Sequence, residues 1–150
     1  MAKLKVLFLC TGNSARSQMA EAFLRKHGSD HFEAYSAGLE PRGIHPMTQT
    51  VLEEAGIDLS VHRSKSIREY LGYERFDYII TVCRRTDDNC PKVYPEARSY
   101  QRWVFDDPVR HDGSEDDKLE NFRATRDRME ARVKLWLEET LEQLGATTPA

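Results

Sequence analysis

The sequence predicts an α/β protein, three layers deep (α/β/α), with helices on both faces of a four-stranded parallel sheet and one domain across residues 1–150. Two observations carry that prediction. Apolar runs of strand length alternate with helical patterns along the chain, and such alternation feeds parallel strands through helical crossovers. At 150 residues the chain can also bury a sizeable core, and it shows no internal repeat, low-complexity segment or interdomain linker.

In chain order, residues 3–9 form the first strand, with Val6-Leu7-Phe8-Leu9 as its buried run. A helix starts near Arg16 and reaches about Lys26 on Met19, Ala20, Ala22, Phe23 and Leu24, with Gly28 closing it. Phe32 to Ser36 is a second strand ending at Ala37-Gly38, and Glu40-Pro41-Arg42-Gly43 is a turn. Pro46 opens a second helix that carries Met47, Val51, Leu52 and Ala55 on one face and stops at Gly56. Ser66 caps a short third helix through Ile67, Tyr70 and Leu71, ending at Gly72. Phe76 to Val82 is the clearest strand after the first, and a fourth ends at Trp103-Val104-Phe105. From about Glu115 to Leu144 a long helix buries Leu119, Phe122, Met129, Val133, Trp136, Leu137, Leu141 and Leu144 against the sheet. The tail after about residue 145 is expected to fray.

Sheets of this kind bind ligands at the carboxyl ends of their strands, near a switch in strand order. Cys10, Cys83 and the segment after Phe105 all fall at such ends. One crevice should therefore hold all three.

Composition narrows the partners. A hydrophobic fraction of 39%, a charged fraction of 31% and a net charge of −3 describe a soluble globular chain with no bias toward nucleic acid or acidic membrane. No apolar run approaches the roughly 20 residues of a membrane span, and the N-terminus lacks a signal-peptide core, so a cytoplasmic monomer is expected. The cysteines are Cys10, Cys83 and Cys90, an odd count without secretory context, which favours thiol chemistry over a disulfide framework.

The segment Cys10-Thr11-Gly12-Asn13-Ser14-Ala15-Arg16-Ser17 joins the first strand to the first helix. The amides of a first helical turn lack intrahelical acceptors, and the helix dipole adds positive potential, so such a loop can form an oxyanion nest. Gly12 and Asn13 both tolerate the left-handed backbone that such loops need. Arg16 adds a planar fork of donors that matches a tetrahedral oxyanion. The same field, with a hydroxyl from Ser17 or Ser14, should favour the nucleophilic thiolate of Cys10.

Cys10-x5-Arg16-Ser17 after an apolar strand resembles the low-molecular-weight protein tyrosine phosphatases, and the longer Cys-Thr-Gly-Asn-Ser-x-Arg-Ser-Gln-Met-Ala-Glu is closer to their arsenate reductase branch. The likeness continues through Tyr35-Ser36-Ala37-Gly38, Gly56-Ile57-Asp58, Thr81-Val82-Cys83, Asn89-Cys90-Pro91 and Trp103-Val104-Phe105-Asp106-Asp107-Pro108. It implies the family's fold, with Thr11 to Arg16 binding the oxyanion, Cys10 as nucleophile and Asp107 as general acid beside Asp106. For the reductase branch it further implies a relay in which Cys83 attacks Cys10 and Cys90 attacks Cys83. Thioredoxin would reduce the final disulfide, with arsenate as substrate, phosphate or sulfate as ligand analogues, and no tightly bound cofactor. The competing enzyme reading is a tyrosine or small phosphomonoester phosphatase using Cys10, Arg16 and Asp107. A reductase fed by mycothiol or glutathione is a variant, and an oxyanion sensor without turnover is the non-enzyme reading.

If residues 83–90 were helical, their ends would lie roughly 10 Å apart, whereas a disulfide tolerates at most about 7 Å. That segment would then have to unwind for a Cys83–Cys90 bond. Cys-x6-Cys has no nearby ligand pair at zinc spacing.

Two positions depart from the reductase pattern. Ala15 stands where some members carry an extra cysteine that is not one of the three relay thiols. Some members also hold potassium through Asn13, Glu21, Ser36 and an acidic residue near the present Lys65. Lys65 reverses that charge, and its ammonium is expected to replace the cation by pairing with Glu21. Among the histidines, His27 and His31 are separated by Gly28, which should break the helix and with it any metal pair, and His45, His62 and His111 read as surface or loop residues.

Overall fold

A computed structural model describes residues 3–83 and 97–145. Its elements are β1 (Leu4–Cys10), α1 (Arg16–Gly28), β2 (Phe32–Gly38), α2 (Pro46–Glu54), β3 (Phe76–Thr81), β4 (Ala97–Arg102) and α3 (Glu115–Gln143). Single 3₁₀ turns lie at Ile67–Glu69 and Pro108–Arg110. The strands form one parallel sheet in the order β2-β1-β3-β4. This is the α/β class with the four-stranded parallel sheet that the sequence predicts.

Successive residues of β1 point to opposite faces, so its apolar run supplies two clusters. Val6 and Phe8 join Met19, Phe23, Val51, Leu52, Met129 and Trp136 from the three helices. Leu7 and Leu9 face the other way, with Ala37, Ile79 and Phe76, and Ile67 of the first 3₁₀ turn packs over them. The chain leaves β1 toward β2 and later returns to β1's other side as β3. The order therefore reverses between β1 and β3, and the crevice opens at their carboxyl ends.

Several expectations shift. The fourth strand is Ala97–Arg102 and stops before Trp103, although the Trp103 amide still donates to the Thr81 carbonyl at 2.7 Å. The helix expected after Ser66 is only a 3₁₀ turn, with Ser66 accepting from the Arg68 amide. α1 ends at Gly28, as the sequence predicts. A β-carbon there would stand 2.7 Å from a Leu137 methyl, so α1 packs closely on α3 at this position. Leu144 is exposed at the end of the α3 stripe. Cys90 and the segment proposed to unwind, like the tail after 145, lie outside the described residues.

Candidate active site

The loop from Cys10 to Arg16 is held from outside by its carbonyls. Thr11 C=O accepts from the Glu40 amide, Gly12 from the Arg42 amide, Ser14 from the His45 amide and Ala15 from the Met19 amide, all at 2.9–3.1 Å. The Asn13 carbonyl accepts from Gln18 Nε2. In a trans peptide the C=O and N–H point opposite ways, so carbonyls turned outward leave amides turned toward the loop's centre. Asn13 alone among the non-glycine described residues has a positive φ, +48°. Gly12 does not, so of the two residues expected to turn left-handed only Asn13 does so. Gly38, at the end of β2, lies against the loop so closely that a β-carbon would be 2.6 Å from the Thr11 carbonyl oxygen.

Beneath the loop runs a buried hydrogen-bonded chain. Asn13 Oδ1 accepts from the Lys65 amide at 2.8 Å and from Gln18 Nε2 at 3.0 Å. Because a backbone amide can only donate, Asn13 must present Nδ2 to the other side. There it donates to Ser17 Oγ at 2.7 Å and Ser36 Oγ at 2.9 Å. The hydroxyl of Ser17 keeps its own proton for Cys10 Sγ, 2.8 Å away, a polarity that suits a sulfur anion. Ser17, not Ser14, is therefore the hydroxyl beside the thiol. Ser36 in turn donates to Glu21 Oε1 at 2.8 Å.

Glu21 is 1% exposed and faces several positive or donating groups. Lys65 Nζ lies 3.6 Å from Oε1, Arg25 Nη2 3.6 Å and His62 Nδ1 3.1 Å from Oε2. Burial by itself would raise the carboxyl's pKa, but the His62 hydrogen bond and the charges of Lys65 and Arg25 outweigh it and hold the group below its ordinary value. Burial pushes the Lys65 ammonium down, with Glu21 opposing. Lys65 Nζ also donates to the Arg63 carbonyl at 2.8 Å and to Ser36 Oγ at 3.3 Å. An ammonium already stands among the oxygens of the potassium site that the resemblance implied, so a metal ion does not fit there.

His62 corrects the surface reading. Its side chain is 3% exposed and bonded to Glu21. Nothing in the spacing of Glu21 and His62 announced this, but Glu21 with Gln18 and Ser17, three and four residues before it, forms a polar patch at the buried start of a helix, a signal that could have been read. α1 ends at Gly28, as expected, which leaves His31 outside the helix, and the His27 ring bonds Glu130 at 2.7 Å.

Arg16 is buried, donating from Nη1 to the Phe105 carbonyl at 3.0 Å, with Nη2 3.7 Å from Asp107 Oδ2. Asp107 Oδ1 caps the second 3₁₀ turn by accepting from the Val109 amide. Asp106 is exposed. A pocket of about 180 Å³ brings together Cys10, Gly12, Ser14, Ala15, Arg16 and Asp107. A larger groove of about 640 Å³ between the end of β4 and α3 contains neither Cys10 nor Arg16, so the chemistry belongs to the smaller one. Cys83 is buried just beyond β3. The Val82 amide donates to Leu9 C=O at 2.9 Å, so Cys83 follows directly past the end of the strand that neighbours β1. Cys10 is a free thiol, whereas Cys83 is disulfide-bonded.

A sequence model of low molecular weight phosphotyrosine protein phosphatases matches residues 5–146. The chain belongs to that family. Within it, the chain is 40% identical over 138 residues to an arsenate reductase of Bacillus licheniformis, covering 92% of this chain and 98% of that one. A solved arsenate reductase in a phosphate-binding state superposes with a TM-score of 0.69 at 28% identity, covering 91% of this chain and 98% of the other. The YwlE arginine phosphatase of Geobacillus stearothermophilus shares the fold, with a TM-score of 0.70 at 23% identity over 98% and 99% of the two chains. The resemblance read from the loop motif thus holds across nearly the whole chain, and the family is one of enzymes. No helix among the described residues is long and apolar enough to cross a membrane.

Proposed function

We propose that this protein reduces arsenate to arsenite, with Thr11 to Arg16 cradling the oxyanion. The Cys10 thiolate attacks arsenic(V) and forms an S–As bond, while one oxygen leaves as water with a proton from Asp107. The Cys83 thiolate then attacks Cys10 Sγ. As the new S–S bond forms, the S–As electron pair stays on arsenic, which leaves as arsenite. Cys90 displaces Cys10 from Cys83, and the dithiol of thioredoxin reduces the resulting disulfide. The protein acts as a cytoplasmic monomer in this reading.

The observation that carries the reading is a second buried cysteine, Cys83, two residues beyond the end of β3, the strand that pairs with β1 and so with the strand that ends at Cys10. A phosphatase needs only the first thiol. The names of the relatives support the substrate.

The test is arsenate-dependent NADPH oxidation with thioredoxin and thioredoxin reductase, for wild type and the Cys10→Ser, Cys83→Ser and Cys90→Ser variants. Each substitution should abolish turnover, and persistence without Cys90, or no turnover in wild type, overturns the relay. The shared loop and Asp107 favour a second activity. Cys83→Ser should keep whatever p-nitrophenyl phosphate cleavage the wild type shows.

A further inference from the structure

We propose that Arg42 and His45 form the outer half of the oxyanion site, where they select a small, fully ionised tetrahedral anion over an aryl phosphate ester. The inference deepens the reductase reading, and its binding arm stands apart from turnover.

The pocket wall facing the loop is the segment Arg42–Pro46, together with Asp107 and Val109. It is bolted to the loop itself, through the Arg42 amide on Gly12 C=O at 3.0 Å and the His45 amide on Ser14 C=O at 3.1 Å. Side chains on this wall therefore keep register with the amides that cradle the anion. Among its lining residues is no Phe, Tyr or Trp that could stack on a substrate ring.

The tautomer of His45 is fixed by its place in the fold. Nδ1 accepts the Met47 amide at 3.1 Å and so caps α2. An amide can only donate, so Nδ1 carries no proton and the neutral ring bears its proton on Nε2. The ring also stacks on buried Phe122, with centroids 5.0 Å apart and planes 28° apart. Two independent contacts thus hold the imidazole as an N–H donor at the pocket wall, and Nε2 has no partner among the described residues.

Arg42 reaches the pocket across Gly12. A β-carbon at Gly12 would stand 3.1 Å from Arg42 Cδ, so what this glycine supplies is room for the arginine stem. The guanidinium is half-exposed, with a 3.5 Å contact to Glu40 that a bound anion can replace.

In-line attack by sulfur leaves one oxygen of the tetrahedral anion opposite Cys10, facing Asp107 and this wall. In arsenate that oxygen can accept from Nε2–H and the guanidinium. In an aryl ester it carries the ring, which would displace those donors and leave them unpaired, and sites built around such donors discriminate strongly.

The experiment uses the full chain with Arg42→Gln and His45→Ser. Serine keeps a capping oxygen for α2 but is too short to donate into the pocket. Phosphate affinity is measured by calorimetry, and kcat and KM for arsenate and p-nitrophenyl phosphate by kinetics. Each variant should weaken phosphate and raise the arsenate KM about three- to tenfold, the effect of losing one hydrogen bond to a charged group. The KM for p-nitrophenyl phosphate should stay within about twofold, because its ring never uses these donors. Unchanged phosphate affinity in both variants overturns the proposal, as does an equal rise in KM for both substrates. If wild type binds phosphate but does not turn over arsenate, the reductase reading fails while the binding arm still decides this one. If His45→Ser does not fold, Arg42→Gln alone decides it by the same measurements.

Discussion

Asn13 holds the loop together because its amide has one face for acceptance and one for donation. Asn13→Asp keeps the shape and the Oδ1 acceptor but replaces the donor with a second oxygen facing the Ser17 and Ser36 hydroxyls. Those hydroxyls would turn toward the carboxylate, and Ser17 would no longer donate to Cys10. Single-turnover attack by Cys10 should slow about 30-fold, the equivalent of about 2 kcal/mol, the worth of a hydrogen bond to a charged group. An unchanged rate would show that Ser17 serves the fold rather than the thiol. Glu21 predicts a pH signature. Its folded pKa lies below the ordinary value of 4.5, so the stability it contributes is complete above that value and lost as pH falls through the lower folded one. Glu21→Gln should therefore lower the melting temperature at neutral pH and flatten its fall below about pH 4.5. Acid melting curves that stay parallel to wild type would refute the assignment. Lys65, as the built-in cation, makes wild-type activity indifferent to potassium, and Lys65→Ala should create potassium stimulation that sodium does not match. Strong potassium activation of wild type would sink that idea.

At the scale of elements, the end of β2 is the tightest constraint on the site. Gly38→Ala would drive a β-carbon against the Thr11 carbonyl and the Asn13 amide, backbone atoms that cannot rotate away. The expected loss is about 1–3 kcal/mol of stability with a larger loss of oxyanion affinity, read by denaturant unfolding and phosphate titration. A variant that binds phosphate normally would show that β2 can slide without moving the loop. The elements themselves were readable to different degrees. The three helices were visible because their apolar positions recur at helical spacing, and Pro46 marks the start of α2. β4 was misplaced because Ala97–Arg102 is a largely polar edge strand, half-exposed along its length, while the apolar Trp103-Val104-Phe105 that attracted the reading follows it. Gly28 was legible as the end of α1, whereas its close approach to Leu137 was not, because that contact joins distant parts of the chain.

Across the whole molecule, the site draws on segments far apart in sequence, and this separation decides what the chain alone could reveal. Cys10, Arg16 and the nest were readable because strand, loop and helix follow one another. The outer carbonyl clamps from Glu40, Arg42 and His45 and the buried ring of His62 were not, because each is a long-range contact with no local period. That dispersal has a thermodynamic consequence. The nest exists only when the end of β2, the Glu40–His45 segment and the 63–65 segment are all docked, so an oxyanion binds the folded chain and not the unfolded one. Ligand at a hundred times its Kd then adds about 2.7 kcal/mol to folding stability. For a domain of this size each kcal/mol moves the melting temperature by about 2–4 °C, so saturating phosphate should raise it by roughly 5–11 °C. Calorimetric unfolding with and without phosphate measures this directly, with chloride at equal ionic strength as the control. Arg16→Met should erase most of the shift, because it removes the buried fork while leaving the outer clamps in place. A shift that survives Arg16→Met, or that chloride reproduces, would mean that phosphate stabilises the protein through general screening, and the loop would no longer be its seat.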